Sequence, residues 1–370
     1  MSKYPKINYI GNKNKLTDWI VENLPYKKGT VLDLFCGGCS VSYALKDHNY
    51  QVITNDVLYS NYVISKAIIE NKKVTLNKKD IDVKIDKKDI DNKYNNIKFL
   101  SNKLYFDEEV HELAELLCIA DMLNDEKKYL FLALIRRAMI RKIPYSRMNV
   151  PWDQIVKLRD EEYSYKKYKR RRAYHNKTFM EHILDNIKEY NDSVFDNKKD
   201  NKSYNLDSFD MIDKLDKSVD IIYMDPPYPG TMNKYDQFYG LFDEMFNIKI
   251  DYVNFSLNNM FLDNLEKLVK KCAIKTKYIV ISENNKTKPS VDELKNMLKK
   301  YGTVKILEKK HQYKVTNKDN KNESYEVLII LKIKKEEIWW FLLLFWYNII
   351  FFIFSFAFFG FFLKFISMPF

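Results

Sequence analysis

Val31-Leu32-Asp33-Leu34-Phe35-Cys36-Gly37-Gly38-Cys39-Ser40 reads as a buried strand, a glycine turn and the start of a helix in direct succession. The helix is expected over Ser40 to Lys46, a second short strand at Val52-Ile53-Thr54, and another helix from about Asn61 to Glu70. Strands alternating with helices in this way mark an α/β fold with a mainly parallel sheet. Glycine lets a ligand come close to the backbone, and a helix N-terminus favours a negative group such as a carboxylate. No Gly-Lys-Ser/Thr follows, so the turn is not a P-loop, and it is not the G-x-G-x-x-G of dinucleotide sites either. Asp56, just past the second strand, is placed to take the hydroxyls of a ribose. A nucleoside without phosphates fits all three observations.

Beyond this block the alternation breaks. The Lys/Asp/Asn-rich stretch 71–96 reads as a solvated insertion, and from about Phe106 to Tyr190 the apolar spacing is helical. That is too long for one crossover, so an inserted, mostly helical unit is expected at 73–196, between two catalytic segments at 1–72 and 197–335. Strands resume at Val219 to Met224 and Tyr278 to Ser282, with the amphipathic segment Leu262 to Cys272 between them. Thr303 to Lys314 and Tyr325 to Lys332, joined by the polar stretch Thr316 to Ser324, read as a closing antiparallel hairpin.

The second strand run ends in Asp225-Pro226-Pro227-Tyr228. Two prolines fix the backbone and remove two N–H donors, leaving carbonyls as acceptors beside a carboxylate and an aromatic face. A planar amine on a ring system is the matching guest: Asp225 and the Pro226 carbonyl accept its two N–H groups while Tyr228 stacks on the ring. A strand ending in a Pro-Pro turn capped by Asp would give the same tetrapeptide. The formal charge of +12 over 370 residues favours a polyanionic partner, nucleic acid first and a membrane surface second. Cys36, Cys39, Cys118 and Cys272 are the only cysteines and no signal peptide is visible, which points to a reducing cytoplasm. Cys36 and Cys39 lack a second ligand pair at zinc spacing, so they are read as part of the turn, with no metal expected.

Taken in order, Tyr9-Ile10-Gly11-Asn12-Lys13, the Asp33 to Ser40 block, Asp56, a long insertion and Asp225 to Tyr228 resemble the Dam-like, alpha-class DNA N6-adenine methyltransferases over about 330 residues. The resemblance implies a Rossmann-like class I methyltransferase sheet with an inserted target-recognition unit, S-adenosylmethionine as cofactor and double-stranded DNA as substrate. It implies Tyr9 and Lys13 as cofactor contacts, with Lys13 near the methionine carboxylate. Asp33, Phe35 and Gly37 fall in the same glycine-block site, Asp56 at the ribose, and Asp207, within Asn205 to Phe209, at the cofactor's adenine amine. Asp225, Pro226, Pro227 and Tyr228 would be catalytic, with Asp225 also facing the cofactor.

For DNA contact the candidates are Arg136, Arg137, Arg141 and Lys142, then Tyr145, Arg147 and Asn149. Arg170 and Arg171 follow in the basic run Lys166 to Arg172, and Asn233 and Tyr235 stand at the lip of the target site. Ile143 and Ser146 stand where Dam-like enzymes carry Asn and Gly, which puts a GATC target in doubt. A separately encoded restriction endonuclease is the partner that a modification enzyme of this kind would have. The same fold acting on cytosine N4, RNA or protein glutamine is an alternative, as is a membrane-tethered nucleic-acid-binding protein without catalysis. The apolar segment 338–370 is long enough to span a membrane. It reads as a C-terminal anchor, a partner-binding helix, or translation of T-rich DNA past a natural end near Lys335-Glu336.

Overall fold

The computed structural model of the chain describes residues 3–229, 235–257, 259–286, 288–310 and 324–334. Asn233, the hairpin connection up to residue 323 and the apolar segment 338–370 lie outside the described residues. No helix among the described residues is long and apolar enough to cross a membrane.

Seven strands form one sheet: β1 (Thr30–Asp33), β2 (Gln51–Asn55), β3 (Lys202–Tyr204), β4 (Val219–Met224), β5 (Thr276–Asn284), β6 (Gly302–Lys310) and β7 (Tyr325–Ile333). Their order is β3-β2-β1-β4-β5-β7-β6. The first five run parallel, and β7 lies antiparallel to both β5 and β6. This is the mainly parallel sheet that the resemblance implies, closed by the antiparallel pair that the strand runs predict. Strand residues alternate between two cores, as the period of two requires. Val31, Ile221 and Val280 face one side, while Leu32, Ile222 and Ile279 face the other. β3 was not anticipated; three residues are too short to carry a periodic signal, and it is held at the edge by register with β2, Ile53 opposite Lys202.

The expected helix after β2 is present as Tyr59–Ser65, continued by a π turn at Lys66–Glu70. The stretch 71–96 is less open than its polarity suggests. It contains the helices Lys78–Ile81 and Lys87–Ile97, anchored by the buried Leu76, Ile81 and Ile97. The insertion continues with the long helices Asp107–Met122, Asp125–Lys142 and Phe179–Asp192 and the shorter Trp152–Arg159 and Glu161–Tyr168. Its core is continuous with that of the sheet: Leu130 to Ile135 belong to the same hydrophobic cluster as Ile20, Val31 and Ile64. The two stems of the insertion meet at Lys46. Its Nζ donates to the Asn71 carbonyl (2.9 Å), and Asn197 Nδ2 donates to its carbonyl (3.1 Å).

Candidate active site

β1 and β4 are neighbours, so the glycine turn and the Asp225 motif leave the sheet side by side at its carboxyl edge, where open α/β sheets bind ligands. A cavity of about 370 Å³ opens there. Its wall includes Tyr9, Lys13, Asp33, Phe35, Gly37, Asp56, Asp207, Asp225, Pro227 and Tyr235. The candidates for cofactor contact are thus brought together around one space. Leu206, from the Asn205 to Phe209 motif, and the segment from Tyr252 to Leu257 complete one side of it; the latter segment is a contribution that no motif in the sequence announces.

At Gly37 the backbone takes φ +49, and an added Cβ would stand 2.8 Å from the Tyr9 ring. What presses on the glycines is therefore Tyr9, which stacks in turn on Tyr239 (5.1 Å) and Tyr235 (5.5 Å). Asp56 is buried and accepts the Gly37 N–H (2.8 Å) on Oδ2 and the Leu58 N–H (2.9 Å) on Oδ1. Asp207 caps the helix Ser208–Lys214 by accepting from the Phe209 N–H, and its other oxygen accepts the Val253 N–H (3.0 Å). Asp33 accepts from Ser42 on Oδ2 (2.5 Å), while its buried Oδ1 has no hydrogen-bond partner among the described residues. Burial pushes the Asp33 carboxyl up to about 7; Ser42 opposes the shift and Asp225 and Asp56 add to it. An orphaned acid acceptor on a cavity wall suits a ligand ammonium, and here the residues fit an amino-acid-bearing nucleoside.

Lys13, the candidate for contact with a cofactor carboxylate, meets two carboxylates of the protein itself. Its Nζ lies 2.8 Å from Glu326 Oε1 and 3.3 Å from Asp225 Oδ1, an ammonium held between two carboxylates. The Asp225 side chain is 24% exposed at the cavity. Burial pushes its carboxyl up to about 6; Lys13 opposes this and Glu326 adds to it. Pro226 is buried and is not among the residues of the cavity wall. Tyr228 is packed beneath the motif rather than on the cavity wall: its hydroxyl donates to the Ser282 carbonyl (2.6 Å) and its ring meets Phe261 at 5.3 Å.

The basic candidates divide. Arg136, Arg137 and Lys142 are buried and present no charge to a DNA backbone. Their helix, Asp125–Lys142, is buried along an unbroken run from Leu130 to Ile140, so every face of it turns inward, cations included. Arg136 lies 5.0 Å from the Tyr239 ring, Arg137 donates to Asn8 Oδ1 (2.7 Å) and Asn186 Oδ1 (2.8 Å), and Lys142 pairs with Glu109 (2.6 Å). Arg141 is half-buried over Tyr174, and Arg147 lies between the rings of Tyr145 and Phe238. Tyr145, Asn149, Arg170 and Arg171 are exposed. Tyr145 and Ser146 both take left-handed backbone (φ +61 and +56), which costs a side-chain-bearing residue about 1–3 kcal/mol. Asn8 Nδ2 donates to Ser146 Oγ (3.0 Å), tying this turn to the N-terminal segment.

Residues 9–315 match the family of D12 class N6 adenine-specific DNA methyltransferases. The chain is 43% identical over 335 residues to the Type II methyltransferase M2.HphI of Haemophilus parahaemolyticus, covering 89% of this chain and 98% of that protein. It is 25% identical over 366 residues to the modification methylase StsI of Streptococcus sanguinis, of whose length it spans 52%.

Proposed function

Because the chain belongs to the D12 class N6 adenine-specific DNA methyltransferases, we propose that it methylates N6 of an adenine turned out of duplex DNA at one specific sequence, as the modification enzyme of a type II restriction-modification pair. The names of the two relatives support the modification role. A cytoplasmic setting, with a separately encoded endonuclease reading the same site, follows from that role. The observation that carries the reading is the meeting of Asp225 and Pro227 with Asp33, Gly37, Asp56 and Asp207 around one cavity.

S-adenosylmethionine, when bound, supplies an electrophilic methyl group on a sulfonium. Asp33 Oδ1 would receive its ammonium, Asp56 its ribose hydroxyls and Asp207 its adenine amine, each through lone pairs left over from the bonds described above. An exocyclic adenine amine is a poor nucleophile because its lone pair is delocalised into the ring. Asp225 and the Pro226 carbonyl, each accepting one N–H, would draw the nitrogen toward tetrahedral geometry and free that lone pair. The rate gain then comes from positioning and electrostatics, with no covalent intermediate on the enzyme. The proton that N6 releases passes to Asp225. Extruding the base from the stack costs a few kcal/mol.

The test is expression in a host without DNA methylation, followed by sequencing for modified bases, with Asp225→Ala as the matched control. N6-methyladenine in a single sequence context, absent from the control, is the expected result. Unmodified DNA, or modification at cytosine, would overturn the reading.

A further inference from the structure

Glu326, on β7, is fully buried and lies beyond the segment that matches the family. Because β7 runs antiparallel to β5, the start of β7 stands at the same edge as the end of β4, and Glu326 pairs with Asn284 across the ladder. Its Oε1 accepts from Ser282 Oγ (2.5 Å) and lies 2.8 Å from Lys13 Nζ. The Tyr228 hydroxyl donates to the Ser282 carbonyl, and Lys13 reaches Asp225. A closed circuit of contacts therefore joins the two ends of the Asp225 to Tyr228 tetrapeptide through Ser282, Glu326 and Lys13.

The circuit answers a chemical difficulty. Asp225 must offer a lone pair to the target amine, yet its Oδ1 is in contact with a buried ammonium. Were Asp225 the only anion beside Lys13, the amine would have to displace a buried ion pair and strand the lysine charge, which a protein interior does not tolerate. A second carboxylate, closer to the lysine than Asp225 is, removes that obstacle.

We propose that Glu326 is a positioning residue for methyl transfer: it retains the Lys13 ammonium so that Asp225 can exchange that contact for the amine of the target base. Glu326 acts on Asp225 through the Lys13 ammonium it holds and through the field of its own charge, without touching the target base. Among the described residues, the other titratable groups facing Asp225 are Asp33, Tyr223 and Tyr228, and Glu283 acts in turn on Tyr228. Since the Glu326 charge raises the Asp225 carboxyl, its loss displaces the acid limb of the pH profile toward lower pH.

The inference rests on the adenine-methylation reading, so the unaltered full-length enzyme is assayed in parallel on DNA carrying its site. Glu326→Gln keeps the shape of the side chain and removes the charge; Glu326→Asp keeps the charge one methylene further from Lys13. Expected is a graded fall in kcat, tenfold or more for Gln and smaller for Asp. The kcat/KM acid limb should move down in the same order, with donor affinity by calorimetry within about threefold throughout. Equal kcat across the series, or equal losses in both variants with an unmoved acid limb, would overturn the proposal. Should the Gln variant fail a thermal-melt check, Asp against the unaltered enzyme gives the same two readings. Inactivity of the unaltered enzyme would count against the methylation reading instead.

Discussion

Asp225 shows how far a carboxyl can be moved without losing its partner. Desolvation outweighs the lysine 3.3 Å away and leaves it titrating at about 6. The ionised form is the stronger acceptor for both a lysine and an amine hydrogen bond, so kcat/KM should fall as the pH drops through about 6. Lys13 holds this carboxyl down, so Lys13→Met should move the acid limb upward, in the opposite direction to Glu326→Gln; a pH–rate profile on short duplexes reads both. An unmoved limb in the Lys13 variant would remove Asp225 as its origin. At this scale the sequence was legible where spacing carries chemistry: Asp33, Asp56 and Asp225 all reach the cavity. It was less legible at Glu326, an acid just before the apolar run Val327 to Leu331, whose burial follows only from knowing which strand ends adjoin β4.

Among the elements, the helices of the insertion are fixed by polar contacts as well as apolar ones. Glu109 accepts the Phe106 N–H at the start of its helix, takes both terminal nitrogens of Arg159 (2.7 and 2.5 Å) and pairs with Lys142. Burial pushes its carboxyl up, but Arg159 and Lys142 more than offset this and hold it below the ordinary glutamate range. Glu109→Ala would strand two buried cations and should destabilise the protein by about 3–5 kcal/mol, read from urea midpoints. A loss below about 1 kcal/mol would mean that those cations reach water in the variant. The basic candidates Arg136, Arg137 and Lys142 in Asp125–Lys142 are likewise turned into the interior. Charge clustering alone does not tell which side faces solvent, whereas the unbroken apolar run around Arg136 and Arg137 carried that information.

Over the whole molecule, the strand-turn-helix block, the helical insertion and the closing hairpin were legible because each has its own hydrophobic period. What periodicity could not convey is that insertion and sheet share one core, since that depends on which helix faces meet. The consequence is clearest at the stack of Arg136, Tyr239 and Tyr9, which runs from the insertion to the glycine turn. Two of the Arg136 nitrogens, Nε and Nη2, lack hydrogen-bond partners among the described residues, so Arg136→Met should leave the fold stable. It should nonetheless lessen any cooperativity between the two ligands, measured as the ratio of DNA Kd without and with the methyl donor. The ratio obtained the other way round, from donor affinity without and with DNA, must be the same. An enzyme built this way can reserve tight attachment to DNA for the moments when it carries a methyl group to deliver.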